Sequence, residues 1–244
     1  MSGGSKRVVN CLSGWGQKSD SLEIIFDGIG DCYSISSLDY LQFQNVEDFF
    51  LSTKIKSFKP EIVIGWSLGG QIALRLIEKK ILSPQLLILI STPFQMIKDR
   101  MIQSGMSKNV FEEFYKNFSA APSNAMKKFA ILTAMNDRNF SQIAKTLQID
   151  NQHTSGLEFW LKELESFSCF DIDFSLIPRT LCFHGAGDKI THISQANYFK
   201  DRIANFRLET LTNCGHAPHL NDPQKIKNII LEEVENLHPP INET

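Results

Sequence analysis

Ser67 stands between glycines in Gly65-Trp66-Ser67-Leu68-Gly69, after a β-branched run (Ile62-Val63-Ile64) and before a helical repeat of apolar residues. A serine hydroxyl is a weak nucleophile at neutral pH and needs a base within hydrogen-bond reach, itself oriented by an acid. Two later stretches carry those residue types. Asp188 closes Gly185-Ala186-Gly187-Asp188, just past the run Leu181-Cys182-Phe183, and His216 follows the strand-like Phe206 to Leu211. In an open parallel sheet, reactive side chains gather where strands end, so these three positions can converge. The chemistry they suit is acyl transfer through a serine ester. Read in isolation, Ser67 could instead be an ordinary capping serine on a glycine-rich turn.

The negative oxygen formed in such a reaction needs two donors. The N–H of Leu68 is one candidate. The other is Trp15, whose flanks Gly14 and Gly16 leave the backbone open to close approach; packing of its indole at a strand end is the alternative. The remaining histidines fit less well. His219 reads as a loop or rim residue, His184 as structural or rim, and His192 as surface; Asp171 and Asp173 read as solvated. A His216/His219 metal pair has no carboxylate or cysteine at supporting spacing, so neither metal nor cofactor is expected.

The elements that must position these residues follow a β-α rhythm. Strands are predicted at Lys6–Leu12, Tyr33–Leu38, Glu61–Ile64, Gln85–Ile90, Thr180–His184 and Phe206–Leu211. Helices are predicted around Ser19–Phe26, from Val46 to Phe58 (Val46, Phe49, Phe50 and Ile55 on one face), after Ser67, and from Ser194 to Ile203. A last one, capped by Asp222 and Pro223, turns Ile226, Ile229, Ile230 and Val234 inward. Strand, helix, strand in this order predicts an α/β class with right-handed parallel crossovers. Between Phe94 and about Ser168 the rhythm stops. That stretch shows only helical periodicity, broken near Gly105, Pro122 and Gly156, and holds five of the six Met and many of the Phe. It is too long for one connection in a compact sheet, so 94–169 is read as a helical lid subdomain inserted into a core of 1–93 and 170–244. Most of those Phe and Met must form the lid's own core, leaving a minority to line an acyl-sized slot.

Bulk properties exclude several classes. At 244 residues and formal net charge -2, the chain is no dedicated binder of nucleic acid or anionic membrane. No apolar run approaches ~20 residues, the polar start Met1–Arg7 lacks the apolar region of a secretory signal, and the tail from His238 reads as disordered. The five cysteines (11, 32, 169, 182 and 214) are odd in number and scattered, which points to the reducing cytoplasm; Cys11 and Cys182 read as small buried hydrophobes. A monomer is expected.

The order Ser67, Asp188, His216 is that of the α/β-hydrolase fold. With Ser13-Gly14-Trp15-Gly16, Gly65-Trp66-Ser67-Leu68-Gly69-Gly70 and Gly215-His216-Ala217-Pro218-His219 in place, the chain resembles the pimeloyl-acyl carrier protein methyl ester esterases of biotin synthesis. Lys128 to Met135 looks like that family's substrate-lining helix, and Ser155-Gly156-Leu157-Glu158 like its lid return. The resemblance implies a mostly parallel sheet of about six strands, trimmed at its N-terminal side, since the chain begins at what would be an inner strand. It implies Ser67, Asp188 and His216 as the triad, Trp15 and Leu68 as oxyanion donors, and Phe129, Ala130, Ile131, Leu132 and Thr133 as the acyl lining. It further implies an acidic acyl carrier protein as partner. Between Phe94 and Asp150 there are eight Lys/Arg against five Asp/Glu, with Lys127, Lys128, Arg138 and Lys145 as contacts; a solvated helix face explains the same four. Other activities suit the same triad: a general short-chain esterase, a thioesterase or a menaquinone-pathway lyase. A binding protein that keeps only the fold would have no use for an intact triad.

Overall fold

Six strands hydrogen-bond into one parallel sheet in the computed structural model, which describes residues 6–56, 59–147 and 154–237, without side chains at 19, 54–56, 154 and 155. The first five residues of the polar start, the side chains of Ile55 and Ser155, Phe58 and the tail from His238 lie outside the described residues. The strands are β1 (Arg7–Leu12), β2 (Tyr33–Ser37), β3 (Ile62–Trp66), β4 (Leu86–Ile90), β5 (Arg179–Gly185) and β6 (Phe206–Leu211), in the spatial order β2-β1-β3-β4-β5-β6. Every pairing is parallel, and β1 is an inner strand between β2 and β3. The chain reverses its direction of travel across the sheet between β1 and β3. That switch opens a crevice at the carboxyl ends of both strands, where ligands of such sheets bind.

The central strands read as continuous apolar runs because helices cover both faces. All five residues of β4 are fully buried, and β3 is buried throughout. Helix α1 (Val46–Lys56) buries Phe49 and Phe50, and α2 (Leu68–Glu78), which continues the Ser67 turn, is buried along nearly its whole length. The final helix, α9 (Pro223–Leu237), buries Ile226, Ile230 and Val234, with Asp222 Oδ1 accepting the Lys225 N–H at its start. Helix α7 is shorter than expected, covering Gln195–Lys200, and Ser19–Phe26 winds as a 3-10 helix.

Between β4 and β5 the described chain forms four α-helices: α3 (Lys108–Ala120), α4 (Pro122–Thr133), α5 (Phe140–Thr146) and α6 (Thr154–Ser166). An antiparallel bridge between Gln95 and Ser168, with the Cys169 N–H donating to Phe94 O at 2.9 Å, brings together the points where this segment leaves and rejoins the core. Pro122 opens α4, where its missing N–H would be unpaired anyway. Gly156 does not break a helix as expected. It lies inside α6, where a Cβ would stand 1.7 Å from the Leu41 carbonyl oxygen, so glycine permits close packing there. Tertiary approach explains this glycine; local helix propensity does not.

Candidate active site

Where β3 gives way to α2, Ser67 adopts φ 53° and ψ -121°, a backbone conformation L-residues avoid. Strain of this sort costs about 1–3 kcal/mol and persists only where the surroundings over-determine it. Here they do: the Ser67 N–H donates to Ile90 O at 2.8 Å, and its carbonyl accepts from Gly70 N–H at 2.9 Å. The turn presents Ser67 Oγ 2.9 Å from His216 Nε2, and His216 Nδ1 lies 2.7 Å from Asp188 Oδ2. Three positions far apart in sequence thus form one buried hydrogen-bonded chain. Serine 67 is 6% exposed and His216 1%.

Asp188 is held on every side. Its Oδ1 accepts the N–H groups of Ile190 and Thr191 at 2.8 and 2.9 Å. Burial alone would raise its pKa, yet the imidazoles of His216 and His184 hold the carboxyl well below the usual range. His184 is fully buried, with Nε2 2.8 Å from Thr191 O and 3.4 Å from Asp188 Oδ2, so its structural assignment stands. Burial opposes charge on His184, but the adjacent carboxylate raises its pKa above the usual range.

His219 corrects the sequence reading. It is no rim residue: it lies fully buried in α8 (Pro218–Asn221), with its ring 4.4 Å edge-on from Trp66. Burial, with a smaller effect from His216, pushes its pKa down to about 3, so it is neutral. Proline 218 starts a helical turn that swings the side chain inward, which spacing alone did not reveal. Trp66, beside the serine, donates its indole N–H to His216 O at 2.8 Å and so braces the histidine backbone. His192, Asp171 and Asp173 are exposed.

The loop after β1 places Trp15 against the serine. Its indole packs edge-on to Phe114, Phe118 and Phe129 and donates to Leu157 O at 2.8 Å, tying the core to the helical segment. The indole therefore packs at the strand end, while the backbone N–H stays available to a ligand. Neither the Trp15 nor the Leu68 N–H has a protein acceptor among the described residues. Leu68 is the first residue of α2, where the helix dipole favours negative charge.

A cavity of about 120 Å³ opens above Ser67, which is the one polar residue among those lining it. Trp15, Phe129, Leu132, Met96, Phe111, Phe114, Leu161 and Ile190 contribute to its walls. Of the five consecutive residues expected to line an acyl channel, only Phe129 and Leu132 are among those lining this cavity. Ala130 and Thr133 are buried against the core, and Ile131 is 43% exposed. The cause is helical geometry: at about 100° per residue, five neighbours on α4 cannot share a face. The walls from α3 and α6 escaped the sequence reading because they meet only on folding. Lys127, Lys128, Arg138 and Lys145 are all exposed, and none forms a salt bridge with another described residue. Also unforeseen were Asn136 and Asp137, a polar pair in the break between α4 and α5, which contact the loops carrying Asp188 and His216. Among the described residues, no group of three or more His, Cys, Asp or Glu could hold a metal ion. No helix among them is long and apolar enough to cross a membrane.

Comparison with known proteins bears on the fold and the family. The chain is 27% identical over 230 residues to a pimeloyl-[acyl-carrier protein] methyl ester esterase of Nitrosospira multiformis, covering 88% of each chain. It is 25% identical to an enzyme of the same name from Aromatoleum aromaticum, over 71% of this chain and 73% of that one. Among solved structures, an esterase from Exiguobacterium antarcticum superposes with a TM-score of 0.82 at 19% identity, covering 95% of this chain and 93% of that one. A family model described as "Alpha/beta hydrolase family" matches residues 12–228. With that match taking in β2 to β6, the serine turn and the histidine loop, the chain belongs to the alpha/beta hydrolase family.

Proposed function

We propose that this protein is a serine carboxylesterase that hydrolyses the methyl ester of a pimeloyl chain carried on acyl carrier protein, a step of biotin synthesis. The observation that carries the reading is a hydrogen-bonded Ser67–His216–Asp188 chain opening into an apolar cavity. The names of the relatives support the choice of ester.

In the proposed reaction, Ser67 Oγ attacks the ester carbonyl as His216 Nε2 takes its proton. Asp188 keeps the Nδ1 proton of His216 in place and stabilises the imidazolium. The N–H groups of Leu68 and Trp15 bind the negative oxygen. Collapse of the tetrahedral adduct breaks the bond to methoxide, which leaves as methanol with the proton from His216. Water, deprotonated by the same imidazole, then cleaves the acyl-serine and releases the free carboxylate. The apolar cavity suits the methylene chain, and segment 94–169 acts as a lid over it. Lys127, Lys128, Arg138 and Lys145 offer exposed positive charge to an acidic carrier protein. All five cysteines are free thiols, which supports placing the enzyme in the reducing cytoplasm.

The test is direct: the purified chain is given pimeloyl-acyl carrier protein methyl ester, and methanol release is measured beside that of Ser67→Ala. The parent must also rescue a biotin auxotroph lacking this esterase, and Ser67→Ala must not. Cleavage of small esters without rescue would leave a general carboxylesterase and remove the biotin assignment.

A further inference from the structure

The corner between α4 and α5, Thr133 to Arg138, belongs to the helical segment, yet it is bonded to both loops that carry the base and the acid. On the histidine side, the Gly215 N–H donates to Asp137 Oδ1 at 2.8 Å and the His216 N–H to Thr133 O at 3.0 Å. The Arg138 N–H returns a bond to Asn213 O at 3.1 Å, and Asn221 Nδ2 also donates to Asp137 Oδ1 at 2.8 Å. On the aspartate side, Asn136 Nδ2 donates to Gly187 O at 2.7 Å, one residue before Asp188. The two loops are themselves linked, since the Gly187 N–H donates to Cys214 O at 2.9 Å.

The corner is shaped for this task. Asn136 sits at φ 71°, a left-handed conformation that asparagine tolerates better than most residues. Asp137 is 7% exposed, and its Oδ1 accepts two N–H donors, one from the histidine loop and one from α8. Fit is tight as well: a Cβ on Gly215 would stand 2.3 Å from Met135 O, so the loop lies flush against the corner.

We propose that Asp137 and Asn136 are positioning residues for the reaction, Asp137 fixing the loop of His216 and Asn136 the loop of Asp188, so that the helical segment completes the triad as well as covering it. The inference rests on the esterase reading above. Arg138, one of the proposed carrier contacts, ends the same corner, so docking and catalytic geometry share one stretch of backbone.

The experiment measures kcat and KM for a short-chain p-nitrophenyl ester, the rate of Ser67 labelling by a fluorophosphonate, and thermal unfolding. Asp137→Ala is expected to lower kcat and the labelling rate by about 10-fold or more with KM within about twofold, because misplacing a catalytic group acts on the reacting geometry. Asp137→Asn keeps an oxygen for the Gly215 N–H and should recover activity to within about threefold of the parent. Asn136→Gly removes the donor to Gly187 but keeps the left-handed backbone, and its exposed position spares folding; a fall in kcat of about 3- to 10-fold is expected. Should Asp137→Ala not fold, Asn136→Gly and Asp137→Asn still decide the matter. Parent-like kcat in Asn136→Gly, or equal losses in Asp137→Ala and Asp137→Asn, would overturn the proposal while leaving an active parent enzyme. A parent that neither cleaves esters nor labels at Ser67 would remove the esterase reading, and this proposal with it.

Discussion

Substituting Gly69 by alanine tests whether the two proposed oxyanion donors depend on the close approach of α2 to the end of β1. A Cβ at Gly69 would stand 2.1 Å from Leu12 O and 2.5 Å from Ser13 O. Ordinary contact begins at 3.4 Å, so the gap must widen by about 1.3 Å, and both obstacles are backbone atoms with no rotamer to turn away. The movement separates the first turn of α2, which carries the Leu68 N–H, from the loop that carries the Trp15 N–H. A displacement of ~1 Å in a reacting geometry costs on the order of 100-fold, and loss of one oxyanion donor costs ~100- to 1,000-fold. The stability cost is smaller, about 1–3 kcal/mol for overpacking, offset in part by the ~1 kcal/mol helix preference of alanine over glycine. Steady-state hydrolysis of a short-chain p-nitrophenyl ester and thermal unfolding measure the two effects separately. Gly28→Ala is the comparison: Gly28 has φ +80° with nothing within 4 Å, so alanine there costs ~1–2 kcal/mol of backbone strain and leaves kcat alone. A folded Gly69→Ala enzyme with parent kcat would refute the reasoning.

Three further outcomes are expected. Ser67→Ala should fold like the parent and lose kcat by roughly 10⁴- to 10⁶-fold, with no phosphonate labelling; retained turnover would mean another nucleophile. His219, neutral in the fold at about 3, takes up a proton in the unfolded chain below about 6.5. Because the unfolded state then binds more protons at this residue, the His219 contribution to stability falls as pH drops below that value, by roughly 2 kcal/mol between pH 7 and pH 5, against a smaller contribution of opposite sign from His184, whose pKa the fold raises. Chemical denaturation at both pH values should show a shallower loss in His219→Phe than in the parent, and equal losses would count against a buried neutral imidazole. Charge reversal at Lys128 and Lys145 should raise KM for a carrier-bound ester while sparing a small soluble ester; equal effects on both substrates would argue for a solvated helix face.

The sequence by itself determined the chemistry that the chain offers and the order of its core elements. Gly65-x-Ser67-x-Gly69 between a β-branched run and an amphipathic repeat encodes strand, turn and helix locally, because tight turns and periodic burial are short-range properties. Asp188 and His216 were legible for the same reason: each follows a strand-like run, and parallel strands must end on the same side. The positions that only tertiary structure decided are those where meaning depends on what lies opposite. Gly156 has the sequence signature of a helix break, yet in the fold it lets α6 pack on the Leu41 carbonyl. Ala130, Ile131 and Thr133 shared a motif with Phe129 and Leu132 but point elsewhere, because a helix spreads its neighbours around the axis. His219 became a buried neutral partner of Trp66 through one turn of helix that spacing did not announce. Asp137 is 78 residues from its partner Gly215 and Asn136 is 51 from its partner Gly187, and hydrogen bonds across those separations form only once the helical segment has folded back onto the sheet.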